Sequence, residues 1–271
     1  MAERVKSKKP EIEGLITGIL SNAKSAGAHE LKAWKKPEAD LRRLVKHDYV
    51  TSLRRNMDYH QLRQLVDAFN ELLPEFNRET TGMMSIDRFS EMASDMKFHF
   101  KAEPYEGPEG LALRGFYVTR NQGVLKRPLI YVNTAHHPLA VSATFCHELA
   151  HHFSSELFEA QADEPVHFFF DADYAAHLNE PGELASDAMV SLAAYPEPMA
   201  RKAFASEWNW GLVARAKNLP EAALAEVQKH LKKIYGFNLM ERIPPDRRLH
   251  YLAGMIHYAK LRWALLIEFD L

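Results

Sequence analysis

Apolar side chains recur at helical spacing from Ile12 to about Phe76, as in LRRLVKHDYVTSLRRN and YHQLRQLVDAFNELLPEF, with leucines at Leu62, Leu65, Leu72 and Leu73. This period predicts a series of amphipathic helices. Pro37 and Pro74 are their expected boundaries, because proline cannot continue a helix interior. The breaker cluster RETTGMMS follows, and then a short predicted helix, IDRFSEMASDM. The period next drops to two. KFHFKAEP alternates like a strand, EGPEG reads as a turn, and LALRGFYVTRNQGVLKRPLIYVN gives two β-forming runs around Asn121-Gln-Gly123, a hairpin. Pro138 opens a helix through PLAVSATFCHELAHHF, and GELASDAMVSLAAYP predicts another, closed by Pro196. Between them, SSELFEAQADEPVHFFFDADYAAHLNEPG mixes helical and loop signals. Helical spacing returns from residue 200, interrupted at Pro220, Gly236 and Pro244-Pro245. The first ten or so residues read as a disordered basic tail. The expected fold class is α+β, mostly helical with a small antiparallel sheet. It divides into an N-terminal helical region (1–80), a core (81–200) and a C-terminal helical region (201–271).

Composition changes this picture little: 46% hydrophobic and 26% charged residues are those of an ordinary globular protein with a sizeable core. The most apolar stretch, YLAGMIHYAKLRWALLIEF, is broken by His257, Lys260 and Arg262, so no membrane span is expected. The N-terminus lacks the apolar run of a secretion signal, and its glutamates argue against a transit peptide. One cysteine, Cys146, excludes an intramolecular disulfide framework and suits a reducing compartment, so a cytoplasmic protein is expected. The tryptophans Trp208 and Trp210 and the methionines read as packing residues. Charge is more informative. The net −2 hides basic ends, with 13 Lys/Arg against 7 Asp/Glu in 1–56 and 12 against 7 in 200–271, around a centre with 9 against 22. Solvated helix faces account for most of that. The sharper reading is that the acidic centre attracts a basic substrate, or that the ends touch nucleic acid or an acidic partner.

The acidic centre contains FCHELAHHFS. His147 and His151 are four apart, so on a helix their imidazoles project from one face and can reach one ion, for which zinc is the natural borderline-soft choice. Glu148 is about 100° further round, close enough to hold a water without being a ligand. Ala143, Cys146, Ala150 and Phe153 form the anchoring face. With 14 histidines in the chain the motif alone is not proof, and a third ligand is needed.

Two acidic pairs could supply it, Glu159…Asp163 and Glu183…Asp187. Glu159 follows His151 by eight residues with no glycine to turn the chain; on a continued helix it would rise about 12 Å away. Glu183, 32 residues on and preceded by Pro181-Gly182, has room to return on a second helix, and is preferred. Asp187, one turn later, could then accept the free N–H of a ligand histidine. The plainer role for Glu183 is a helix-start carboxylate that suits the dipole. Of the other histidines, His136 and His137 are expected on a loop, His152 facing elsewhere, His167 and His177 as surface or core residues that could reach a substrate, and His250 and His257 packed among C-terminal helices.

The hairpin, the HELAHH helix and the following E-x-x-x-D helix ending in proline resemble the ImmA/IrrE family of metallopeptidases, a branch of the gluzincin-like zincins. The likeness covers roughly 98–200. Glu183, Asp187 and Pro196 match its second helix; Ala185, Ser186, Met189 and Ala193-Ala-Tyr195 depart from it. The resemblance implies a zincin-like core and a protein substrate such as a DNA-binding repressor. No convincing helix-turn-helix is present, and direct nucleic-acid binding is left open.

The expected mechanism is zinc-dependent hydrolysis of a peptide bond. His147, His151 and Glu183 hold Zn2+, Glu148 is the general base, and Tyr174, His167, His177 or Tyr195 assists the oxyanion. The hairpin strand ahead of the helix is expected to pair with an extended peptide. The alternatives are a non-catalytic metal- or partner-sensing module on the same core, and a helical protein with accidental histidines.

Overall fold

The computed structural model of the chain describes residues 12–21, 37–70, 85–105, 113–119, 125–157, 167–170, 177–193, 210–235, 241, 243, 245 and 248–269. Among the described residues, the helices ahead of the first strand are α1 (12–21), α2 (Pro37–Lys46), α3 (Tyr49–Asn56), α4 (Tyr59–Asn70) and α5 (Ile86–Asp95). The strands β1 (His99–Glu103), β2 (Leu113–Val118) and β3 (Leu129–Asn133) lead into the long helix α6 (Pro138–Leu157). Strand β4 (His167–Phe170), α7 (Pro181–Ala193), α8 (Trp210–Val213), α9 (Leu219–Tyr235) and α10 (Arg248–Phe269) follow among the described residues. No helix among the described residues is long and apolar enough to cross a membrane.

The α+β class holds, with helix predominating over one small sheet. The sheet itself is mixed, where an antiparallel one was expected. Its order is β1-β3-β2-β4: β2 and β3 run antiparallel, as the hairpin pattern predicts, but β1 lies parallel to β3. Alternation along β1 marks a strand without revealing which neighbour it takes or in which direction. The same order corrects a second expectation. Both hairpin strands are paired on each side, so neither offers an edge to a peptide; the outer strands are β1 and β4.

The buried runs of β2 and β3 divide by parity, as strand geometry demands. Phe116, Val118, Leu129 and Tyr131 pack with Ile16 and Ile19 of α1 on one face, the Phe116 and Tyr131 rings stacked 4.8 Å apart. Tyr117, Ile130 and Val132 face the main core, which draws on α2 to α10. Helix α6 is buried all along from Ala140 to His152, which is why its sequence, apart from the motif residues and the small polar Ser142 and Thr144, is apolar all round. Its expected anchors behave accordingly: Ala143, Cys146 and Ala150 are buried, and Phe153 meets Phe69 at 5.3 Å between ring centroids. Phe145 stacks on Phe89 of α5 at 4.0 Å.

Pro37, Pro138 and Pro181 each stand first in their helices, where the missing N–H breaks no bond. The basic tail, Pro74, Pro196, Pro244, the two turns EGPEG and Asn121–Gly123, and the Trp208 position lie outside the described residues.

Candidate metal centre

Helix α6 is held between the sheet and α7, and the two helices present their polar residues to each other. His147 and His151 leave α6 one turn apart and Glu183 comes from the first turn of α7, where its carboxylate suits the positive end of the helix dipole. His147 Nε2 lies 3.1 Å from His151 Nε2 and 3.0 Å from Glu183 Oε2, and His151 Nε2 lies 3.5 Å from Glu183 Oε1. Two donors on one tetrahedral ion with bonds near 2.05 Å are separated by about 3.3 Å. The triangle therefore matches the spacing of three ligands on a common ion, and this buried group could hold a metal.

The outer contacts fix both rings. His147 Nδ1 donates to Asp187 Oδ1 at 3.0 Å, leaving Nε2 turned to the shared centre. His151 Nδ1 meets Ser186 Oγ at 3.3 Å. Asp187, fully buried, also accepts from His177 Nδ1 at 3.0 Å, His257 Nε2 at 2.8 Å and Tyr258 Oη at 3.4 Å. Burial would raise its pKa, but the surrounding imidazoles hold the carboxyl well below its ordinary range. Burial likewise pushes His147 down, yet its hydrogen bonds to Asp187 and Glu183 carry it up to about 10 in the metal-free chain.

Glu148 is different. Both its oxygens are buried with no hydrogen-bond partner, and burial drives its carboxyl well above the ordinary range, the Glu183 charge adding to the rise against the pull of His147. A wholly unpartnered buried carboxylate costs about 1–3 kcal/mol or more. Its persistence beside a ligand triangle fits a polar occupant, an ion with its water, better than a packing role. The close approach depends on Gly115 of β2. A Cβ there would stand 2.5 Å from Thr144 Cγ2, 2.6 Å from the Tyr131 carbonyl oxygen and 3.4 Å from Glu148 Oε1.

The structure thus brings together His147, His151, Glu183, Glu148 and Asp187, as the spacing predicts. Glu159, Asp163, Tyr174 and Tyr195 lie outside the described residues, and His167 is described only through the backbone of β4. His177 stands in the turn before α7 with Nε2 3.9 Å from Glu183 Oε2, outside the three-donor set. His136 bonds the Leu113 carbonyl and Tyr251, and His152 lies 3.3 Å from the Tyr117 hydroxyl, away from the centre. Four contributors escape sequence reasoning: Ser186, His257, Tyr258 and Tyr49, whose hydroxyl lies 3.0 Å from His257 Nδ1. No periodicity singles them out. Ser186 is visible only as a departure from the alanine of the pattern that the sequence resembles. Compared with known proteins, the chain matches no family model, no curated protein and no solved structure.

Proposed function

We propose that the chain is a zinc-dependent metallo-endopeptidase of the ImmA/IrrE kind, cleaving a protein substrate such as a DNA-binding repressor. The observation that carries this reading is the orphaned Glu148 carboxylate beside the His147–His151–Glu183 group that could hold a metal. Two imidazoles and one carboxylate are the donor set of catalytic rather than structural zinc sites. Zinc, when bound, lowers the pKa of a coordinated water towards ~7 and polarises the neighbouring carbonyl.

His147, His151 and Glu183 hold the ion, while Asp187 and Ser186 keep the two rings turned towards it. Glu148 accepts one proton from the attacking water as its oxygen adds to the peptide carbon. It then delivers that proton to the amide nitrogen as the C–N bond breaks. Among the candidates whose side chains are described, His177 stands beside Glu183 for a hydrogen bond to the substrate oxygen. An extended peptide would add to the outer edge of β4, the strand paired with β2, whose Gly115 lies against Glu148. A basic segment of the substrate would favour the acidic centre of the chain. The lone thiol of Cys146, buried and pushed up in pKa, is inert and suits a cytoplasmic setting.

The test is Glu148→Gln. It should bind zinc like the wild type and cleave a mixed peptide library at least 10²-fold more slowly by mass spectrometry. Cleavage at the wild-type rate rejects the mechanism.

A further inference from the structure

Asp187 is the carboxylate behind ligand His147, and it is gripped from outside the peptidase-like region. His257, fully buried on α10, donates its Nε2–H to Asp187 Oδ2 at 2.8 Å. The other ring nitrogen, Nδ1, accepts from the Tyr49 hydroxyl of α3 at 3.0 Å, so the two nitrogens of His257 face opposite neighbours. A continuous chain therefore runs Tyr49–His257–Asp187–His147, from the N-terminal helices through the C-terminal helix to the candidate ligand.

The same helices are joined elsewhere. Lys260 of α10 donates to the carbonyls of Leu44, Val45 and His47 at the end of α2, and Arg54 of α3 pairs with Glu268 of α10 at 2.7 Å. The Tyr49–His257 bond forms only when α3 and α10 are docked on each other. The direction and basicity of His147 Nε2 depend on how firmly Asp187 holds the far side of the ring. A carboxylate that loses the His257 donor is freer to turn, and the bond to His147 weakens with it.

We propose that Tyr49 and His257 are positioning residues of the metal centre, so that its affinity for the ion is set in part by the docking of the N-terminal and C-terminal helices. The inference rests on the metal-binding reading and not on peptide hydrolysis. A partner that loosened α3 from α10 would release the metal, and one that clamped them would retain it.

The experiment is zinc affinity by chelator competition on the full chain. His257→Leu should raise the zinc Kd roughly 10–100-fold, as loss of an outer-shell partner does. His257→Gln, which keeps an N–H donor, should recover most of that loss. Tyr49→Phe should raise Kd less, and should add nothing when combined with His257→Leu. Tyr251→Phe removes a buried hydroxyl from the same helix that serves His136 and His137 instead, and should leave Kd unchanged. A wild-type Kd in His257→Leu, or an equal loss in Tyr251→Phe, overturns the proposal. Should His257→Leu fail to fold, an unchanged Kd in both Tyr49→Phe and His257→Gln/Tyr49→Phe does the same. A wild-type chain that takes up no zinc rejects the metal reading itself, a distinct failure.

Discussion

Each candidate ligand imidazole is backed by a different residue of one helix: Asp187 behind His147 and Ser186 behind His151, neighbours in sequence on α7. Asp187 holds a charge that draws a proton onto His147, whereas Ser186 is neutral and only orients its ring. The contrast has a consequence for pH. Burial disfavours the His147 cation, but Asp187 and Glu183 outweigh it and raise the pKa to about 10, so at neutral pH the metal-free ring is protonated. A metal must displace that proton. Below that pKa, zinc affinity should therefore rise about tenfold for each unit of pH through this residue. Chelator competition between pH 6.5 and 8, with proton release followed by calorimetry in buffers of different ionisation enthalpy, checks the expectation. An affinity independent of pH would show that His147 is not a ligand.

At the scale of elements, the seam between β2 and α6 is decided by one glycine. Gly115 lets the strand lie against Thr144 and Glu148, and the pairing of β2 with β4 shifts register between Leu113 and Gly115, where Arg114 is the additional residue. Gly115→Ala would drive a methyl group into the Tyr131 carbonyl and Thr144, and backbone cannot give way as a flexible side-chain tip can. We expect a loss of about 1–3 kcal/mol, the usual penalty of overpacking. Urea unfolding of the two proteins measures it, and an unchanged midpoint would mean that β2 and α6 are less tightly apposed. The helix pair α6 and α7 was legible in sequence because proline starts, apolar faces and the spacing of Glu183 and Asp187 are local signals. The roles of Ser186, which serves His151, and of Met189, which is fully buried, have no such local signal.

Across the whole molecule, one core takes residues from the N-terminal helices, the central region and α10, and the same three parts are linked through the Tyr49–His257–Asp187 bonds. An ion at the centre would therefore tie together the elements whose separation unfolds the chain. Zinc at 100 times its Kd should stabilise the fold by about 2.7 kcal/mol, and a chelator should reverse the gain. Thermal unfolding with and without zinc tests this, with His147→Ala expected to show no shift. The amino-acid sequence by itself determined the helical periods, the hairpin, and the face on which His147, Glu148 and His151 stand, because each depends on residues within a few positions of one another. Tertiary structure alone decided the order of the strands, the removal of both hairpin strands from the sheet edge, and the arrival of His257 and Tyr49 behind Asp187. Those outcomes depend on which buried surfaces meet, and a periodic pattern states that a face is buried without naming what covers it.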